Sequence, residues 1–244
     1  MIEQTIAIAT KDGAMETFIC HPDRGAHPAV FFLMDAPGIR EELRDMTRRL
    51  ATVGYYVLLP NLYYRSNVEE LGPYVGTVNA ATRQKALALM DTINIPMVMQ
   101  DLDGLIAFTD KDHAASAGAM GCVGYCMSGR YAINGAVRHS TRVRAAASIY
   151  GTALVTDQSD SPHLAMQRTD ARLYFGCAEH DTYAPKEIID KLRSELDTQG
   201  GNAEVEIYPG TSHGFAFAQR PVYDKPAAER HWERLFQLFG DALA

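Results

Sequence analysis

The 244-residue sequence lacks the long apolar run that a membrane-spanning segment needs. No stretch approaches about 20 consecutive apolar residues. The opening residues 1–10 also lack the basic region and following apolar stretch of a secretory signal. We therefore expect a cytoplasmic protein that has no membrane partner.

Cysteine is scarce, and its spacing fits neither a disulfide framework nor a zinc site. The four cysteines are Cys20, Cys122, Cys126 and Cys177, and none forms a CxxC pair. Cys177 and His180 resemble a fragment of a metal site, but no second pair completes it. We expect reduced thiols, no metal and no cofactor.

The sequence also has no excess of basic residues. It contains 23 Lys and Arg and 30 Asp and Glu, which gives a net charge of −7. Nucleic-acid binders usually carry a basic surface, so we expect no nucleic-acid partner. Hydrophobic residues make up an ordinary 47% of the chain. With no repeat or linker in the sequence, we predict one domain over residues 1–244, present as a monomer or weak homodimer.

What the sequence does contain is an alternation of short apolar stretches with helical patterns, which predicts an α/β domain with a mostly parallel sheet. About eight strands are predicted, at 5–9, 15–20, 29–34, 55–59, 119–124, 145–149, 173–176 and 203–208. Six helices are predicted, at 40–53, 83–93, 96–111, 128–138, 186–199 and 227–239. Residues 61–82 show no period, and a loop of that length is usually functional, for example as a lid.

The most informative segment is the run from Gly121 to Arg130, GCVGYCMSGR, where a predicted strand leads directly into a helix. Small residues flank Cys126 in the pattern of a nucleophile elbow. A helix N-terminus favours the anionic thiolate, and the N–H of Met127 would face a developing oxyanion. Two other interpretations stay open: Cys126 could be a core cysteine, and Ser128 could be the nucleophile.

Two residues that could complete a triad follow downstream in the order acid, then base. Asp181 comes after the strand predicted at 173–176, and His213 after that at 203–208. Both places are carboxyl ends of predicted strands, where open α/β sheets carry their sites. Either residue alone could be structural, Asp181 as a helix cap and His213 as a loop residue. Together with Cys126 they predict a catalytic triad.

These residues resemble the dienelactone hydrolase family, within the α/β-hydrolase fold. The resemblance covers nearly the whole length and rests on segments in the family's order, namely Lys11–Gly13, Pro60–Tyr63, Gly124–Gly129, Asp181 with Pro185, and His213–Phe215. The specific part is the cysteine, because most α/β-hydrolases have serine at the elbow. The resemblance implies a Cys126–His213–Asp181 triad.

The resemblance also implies roles for residues outside the triad. Asp35 takes the place of an acidic residue, usually glutamate, that helps control the ionisation of the thiol, and the N–H of Ala36 would be the second oxyanion donor. The family holds its substrate carboxylate with two arginines. Phe217 stands where one of them is expected, Arg83 is a candidate for the other, and Arg220 could substitute.

We therefore expect a hydrolase that acts on a small-molecule ester or lactone. Because a thiolate leaves more readily than an alkoxide, activated esters, enol lactones and thioesters are better candidates than simple alkyl esters. The alternatives are an acyltransferase and a redox sensor in which Cys122 partners Cys126. Several aromatic residues suggest a partly apolar pocket: Tyr63, Tyr64, Tyr74, Phe215 and Phe217.

Overall fold

One eight-stranded sheet organises the molecule, in a computed structural model that describes residues 1–72 and 80–244 and their side chains, except that of residue 166. The strands are β1 (Ile2–Thr10), β2 (Gly13–His21), β3 (Ala29–Leu33), β4 (Tyr56–Pro60), β5 (Met120–Tyr125), β6 (Val143–Ile149), β7 (Arg172–His180) and β8 (Ala203–Ser212). Their order across the sheet is β1-β2-β4-β3-β5-β6-β7-β8. Only the β1–β2 and β2–β4 pairs of this sheet are antiparallel. This confirms the predicted α/β-hydrolase fold.

Six α-helices accompany the sheet in the described residues: α1 (Glu41–Thr52), α2 (Ala80–Met90), α3 (Ile95–Thr109), α4 (Gly129–Arg138), α5 (Lys186–Gln199) and α6 (Lys225–Leu243). None of these helices is long and apolar enough to span a membrane.

Helices cover both faces of the sheet, as neighbouring residues of β5 show. A Cβ on Gly121 would lie 2.7 Å from Phe239 of α6, so α6 packs against that side of the strand. The sulfur of Cys122 lies 3.8 Å from the Cβ that Gly135 of α4 would carry. Because successive strand residues point to opposite faces, α4 and α6 lie on opposite sides of the sheet.

The predicted elements are all present, and the differences lie at their ends. β7 runs to His180 and β8 to Ser212, beyond the predicted 173–176 and 203–208. The pairing of these strands shifts register between Ala178 and His180, which interrupts the alternation that would mark a longer strand. β8 also contains Pro209, which it tolerates because it lies at the edge of the sheet.

The predicted loop 61–82 is described only to residue 72 and again from residue 80. Its first part includes a short 3₁₀ turn at Tyr64–Ser66, and α2 already begins at Ala80 rather than at 83. Tyr74 lies outside the described residues.

The carboxyl ends of five parallel strands meet at one edge of the sheet. β3, β5, β6, β7 and β8 are followed there by Asp35, Cys126, Tyr150, Asp181 and His213. The register pairs His180 with Ser212, so the two residues that follow them, Asp181 and His213, start as neighbours.

Candidate active site

The turn from β5 into α4 has the strained backbone of a nucleophile elbow. Cys126 has φ +55°, which a non-glycine residue rarely adopts. A Cβ on Gly124 would lie 2.0 Å from the carbonyl oxygen of Ser128, and one on Gly129 would lie 2.3 Å from the Ser148 hydroxyl. The chain can turn this sharply only because both positions lack side chains. The turn leaves Cys126 partly exposed at its tip.

Ser128 does not occupy the tip of the elbow. Its side chain is fully buried, and its hydroxyl donates a hydrogen bond to the carbonyl oxygen of Met34. This contact ties the start of α4 to the end of β3, which is a structural role rather than that of a nucleophile.

Asp181 and His213 are hydrogen-bonded to each other, as the predicted triad requires. The Nδ1–H of His213 donates to Oδ2 of Asp181 at 2.7 Å, and the Asp181 side chain is almost wholly buried. The other carboxylate oxygen accepts from the backbone N–H groups of Tyr183 and Ala184, at 2.8 and 3.2 Å. These bonds fix the carboxylate. Asp181 does not cap α5, because the N-cap residue of that helix is Pro185.

The second nitrogen of His213 faces Cys126. Burial would lower the pKa of His213, but hydrogen bonding and charge interactions with Asp181 and Cys126 outweigh it and raise this pKa from 6.5 to about 10. Nε2 is buried, and no group in residues 1–72 or 80–244 forms a hydrogen bond of good geometry with it. The interaction with Cys126 is therefore close but not an aligned hydrogen bond, as is common for catalytic pairs without substrate.

Two backbone N–H groups are available beside the thiol for an oxyanion. Met127 is the second residue of the 3₁₀ turn Cys126–Ser128 that leads into α4, where the first N–H groups have no partner within the helix. Ala36 follows β3 across the cavity. The Tyr63 hydroxyl donates to the Ala36 carbonyl oxygen at 2.8 Å and approaches the Met127 sulfur at 3.5 Å, so one buried side chain braces both residues.

Asp35 is buried beside these groups and ion-paired with Arg40. The two Nη atoms of Arg40 contact the two carboxylate oxygens of Asp35, at 2.5 and 3.3 Å. Arg40 also binds Glu42, with its Nε 3.1 Å from Oε2. The sequence pattern gives no sign of this arginine, since Arg40 lies at the start of an ordinary amphipathic helix.

A cavity of about 540 Å³ opens above the triad. Its polar wall includes Cys126, His213, Asp35, Arg83, Arg130, Arg220, Tyr150 and Tyr183, and its apolar wall includes Ala36, Ala86, Leu87, Met90, Phe217 and Val222. Arg83 lies at this cavity as expected and donates to the Tyr183 hydroxyl at 2.9 Å. The site therefore offers an apolar volume with cationic groups at its edge.

The prediction that several aromatic residues line the pocket is mostly wrong. Of the described ones only Phe217 lies in the cavity wall. Tyr63 and Phe215 are buried in the core, and the Tyr64 hydroxyl donates to Asp101. Aromatic residues near a site pack the core more often than they line a pocket, because burying their large apolar area is favourable.

Sequence reasoning missed two polar residues of the cavity wall. Tyr150 has φ +36°, its hydroxyl is buried, and the hydroxyl has no hydrogen-bond partner in the described ranges. Its position directly after β6 was an available signal. The Nε of Arg130 is likewise buried without a partner within residues 1–72 and 80–244. Arg130 lies four residues after Cys126, and this spacing was also an available signal.

The remaining cysteines differ sharply from Cys126. Burial raises the pKa of Cys122, and it raises the pKa of Cys20 to about 11 and that of Cys177 to about 12. A fully buried Cys122 gives no support to a redox pair with Cys126. No group of three potential metal ligands occurs among the residues that the structure describes.

Known proteins that are similar to this chain in sequence and in structure point to the same family. The profile of the dienelactone hydrolase family matches residues 15–243. A protein of Methylorubrum extorquens, provisionally named carboxymethylenebutenolidase, is 27% identical over 98% of this chain and 81% of its own length. A Salmonella typhi protein with the same provisional name is 28% identical over 88% of this chain and 77% of its own. A crystal structure from Klebsiella pneumoniae, described provisionally as a dienelactone hydrolase, superposes with a TM-score of 0.84 at 22% identity and covers 98% of both chains.

Proposed function

The chain belongs to the dienelactone hydrolase family and is a hydrolase, and from this premise we propose that it cleaves an activated ester, enol lactone or thioester through an acyl-enzyme on Cys126. The observation that carries the proposal is the arrangement at the carboxyl edge of the sheet. A strained elbow presents the thiol, and the Asp181–His213 pair at 2.7 Å faces it inside one cavity.

In the first step the thiol of Cys126 gives its proton to Nε2 of His213, and the thiolate attacks the substrate carbonyl carbon. Asp181 holds the imidazole in the tautomer that can accept this proton and stabilises the imidazolium that forms. The raised pKa of His213, about 10, favours the protonated form near neutral pH. The raised pKa of His213 therefore favours transfer of a proton onto its ring.

The tetrahedral oxyanion lies between the N–H groups of Ala36 and Met127 in this mechanism. Each such donor is worth about 3–4 kcal/mol of transition-state stabilisation in measured systems. Collapse of the intermediate breaks the bond to the leaving oxygen or sulfur, which takes the proton from His213. Water then attacks the thioester with His213 as the base, and the acid product leaves with regeneration of the thiol.

The substrate class follows from the leaving group and from the cavity. Thiolate is a better leaving group than an alkoxide, so productive collapse needs an activated substrate oxygen or a sulfur. The apolar wall suits a flat or unsaturated acyl group. We assign Arg83 to a polar substrate group at the cavity edge, and we assign Asp35 an electrostatic influence on the neighbouring thiol.

The test is hydrolysis of p-nitrophenyl acetate and of a dienelactone by the wild type, by Cys126→Ala, which leaves no nucleophile at the elbow, and by the control Cys20→Ala. We expect activity in the wild type and the control, and at least a 100-fold loss in Cys126→Ala. The ratio of the two rates shows whether a substrate carboxylate is preferred. Activity that survives in Cys126→Ala would contradict the mechanism, and ester products formed with an added alcohol would indicate acyl transfer.

A further inference from the structure

We propose that Arg40 is a positioning residue for this reaction, because it fastens the turn that carries Ala36 to the loop that follows His213. The inference rests on the proposed function, since it concerns the oxyanion site of that mechanism. Arg40 does not line the cavity, so it does not touch the substrate.

Arg40 forms hydrogen bonds and ion pairs with the turn at residues 35–38. Its two Nη atoms bind both carboxylate oxygens of Asp35, and Nη1 also donates to the carbonyl oxygen of Gly38 at 3.2 Å. The turn itself closes with a bond from the Gly38 N–H to the Asp35 carbonyl oxygen at 2.9 Å. Both ends of the short segment that contains Ala36 are therefore held by one guanidinium group.

Through Glu42, Arg40 is also connected to the loop that follows His213. Nε and Nη2 of Arg40 donate to Oε2 of Glu42, at 3.1 and 3.0 Å. Oε1 of Glu42 accepts from the backbone N–H of Gln219 at 2.8 Å. The guanidinium carbon also lies 4.7 Å from the ring centre of Phe217. The contacts run without a break from the oxyanion turn to the segment four to six residues after His213.

This buried network fixes the relative positions of its members. The side chains of Arg40, Asp35 and Glu42 are each no more than 5% exposed. Buried ion pairs add little net stability against apolar replacements, but breaking one is costly, so such a cluster holds its partners in one arrangement. All five guanidinium donors are engaged, a pattern that lysine cannot reproduce.

When the contacts of Arg40 are lost, either His213 or the turn at residues 35–38 could shift, and two features predict which of them does. His213 keeps its own bond to Asp181, and that carboxylate is held by two backbone N–H groups. In the turn at residues 35–38, the Tyr63 hydroxyl holds the Ala36 carbonyl oxygen, while Arg40 holds Asp35 and Gly38 at the two ends. Loss of the guanidinium contacts of Arg40 should therefore displace the Ala36 N–H, while the thiol and His213 stay in place. The chemical step then suffers, whereas formation of the thiolate does not.

The experiment compares Arg40→Lys with the matched control Arg49→Lys. Arg49 lies on α1, is ion-paired with Glu229 and stacks on Trp232 at 4.8 Å, but does not line the cavity. Steady-state kinetics on p-nitrophenyl acetate measure catalysis that uses the oxyanion site. The rate of Cys126 alkylation by iodoacetamide across pH measures the thiolate alone, because alkylation passes through no oxyanion.

For Arg40→Lys we expect kcat to fall roughly 10- to 100-fold, less than the loss of a whole oxyanion donor, with KM within about threefold. The alkylation rate and its pH profile should stay within about twofold of the wild type. The Arg49→Lys control should match the wild type in both assays. An unchanged kcat in Arg40→Lys would overturn the proposal, and so would a parallel fall in alkylation.

A second variant keeps the proposal testable if Arg40→Lys does not fold. Glu42→Gln keeps the shape of the side chain but weakens the link between Arg40 and Gln219, and it should give the same split between kcat and alkylation on a smaller scale. No split in this variant would contradict the proposal. Failure of the proposed function itself has a different signature, because esterase activity would then persist in Cys126→Ala.

Discussion

At the scale of single residues, the elbow shows how two glycines decide the chemistry of a third position. Cys126 holds φ +55° because Gly124 and Gly129 let the strand, the turn and the helix approach within contact distance. Strain of this kind persists only where the surrounding structure imposes it. The partial exposure of the thiol is thus a consequence of its neighbours rather than of cysteine itself.

Because the elbow has no space for a side chain at this position, we expect Gly124→Ala to destabilise the protein and abolish esterase activity. The new methyl group would lie 2.0 Å from the Ser128 carbonyl oxygen, a backbone atom that cannot rotate away. We expect a cost of about 3 kcal/mol or more, by analogy with overpacked cores. Urea denaturation together with the p-nitrophenyl acetate assay measures both effects.

The control for this substitution is Gly240→Ala. Gly240 lies in α6, is exposed, and has open space around its missing side chain. Alanine there should stabilise the protein by up to about 1 kcal/mol through helix propensity. Equal effects of the two substitutions would refute the role assigned to Gly124.

At the scale of elements, a buried histidine connects α6 to β5, the strand that leads into Cys126. Nδ1 of His231 contacts the carbonyl oxygen of Ala228, and Nε2 lies 3.0 Å from the Tyr125 hydroxyl. Nδ1–H therefore donates and Nε2 accepts, which is the neutral form of the ring. Tyr125 directly precedes Cys126, so this contact supports the base of the elbow.

The pH dependence of stability follows from the same histidine. Burial lowers the pKa of His231 from 6.5 to about 4. The unfolded chain therefore binds more protons than the native one between these pH values, and the free energy of unfolding should fall as pH drops from 6.5 to 4. The contribution of this residue is at most about 3 kcal/mol.

Denaturation at a series of pH values tests this expectation with His231→Gln. Glutamine can donate to Ala228 or accept from Tyr125 but does not ionise, so the variant should lose part of the acid sensitivity. Substitution of the exposed His113 by glutamine should leave the wild-type pH dependence unchanged. An acid slope as steep in His231→Gln as in the wild type would rule out this source of the sensitivity.

At the scale of the whole molecule, the fold sorts four chemically identical thiols into one partly exposed group and three buried ones. Burial raises the pKa of each of the three buried thiols, so they resist ionisation at neutral pH. Cys126 lies instead at the carboxyl edge of the sheet, beside His213. Reactivity is therefore a matter of position in the fold.

We predict that a disulfide reagent such as DTNB titrates one thiol per native chain rapidly and four after denaturation. In Cys126→Ser the rapid phase should disappear, leaving three thiols that react only in the denatured protein. Two rapid thiols in the native wild type, both lost after mild oxidation, would instead support a redox pair.

The chain sequence by itself determined the order of the elements and which three residues are proposed as the triad. Buried parallel strands are continuous apolar runs, helices show their amphipathic period, and the elbow needs its small residues at fixed spacing. Each of these signals is local. Strand ends supplied Asp181 and His213 because the sheet brings the carboxyl ends of its parallel strands to one edge.

Only the tertiary structure decided which contacts hold the residues of the proposed site in place. The contacts of Arg40 with Asp35, Glu42 and Phe217 join loops more than 170 residues apart in sequence. The true ends of β7 and β8 could not be predicted either, and the sequence position of Tyr150 after β6 did not show that its hydroxyl is buried. Loops carry no period, and a charged side chain in them has many possible partners. Packing of the whole chain selects one of these partners, so local patterns cannot predict it.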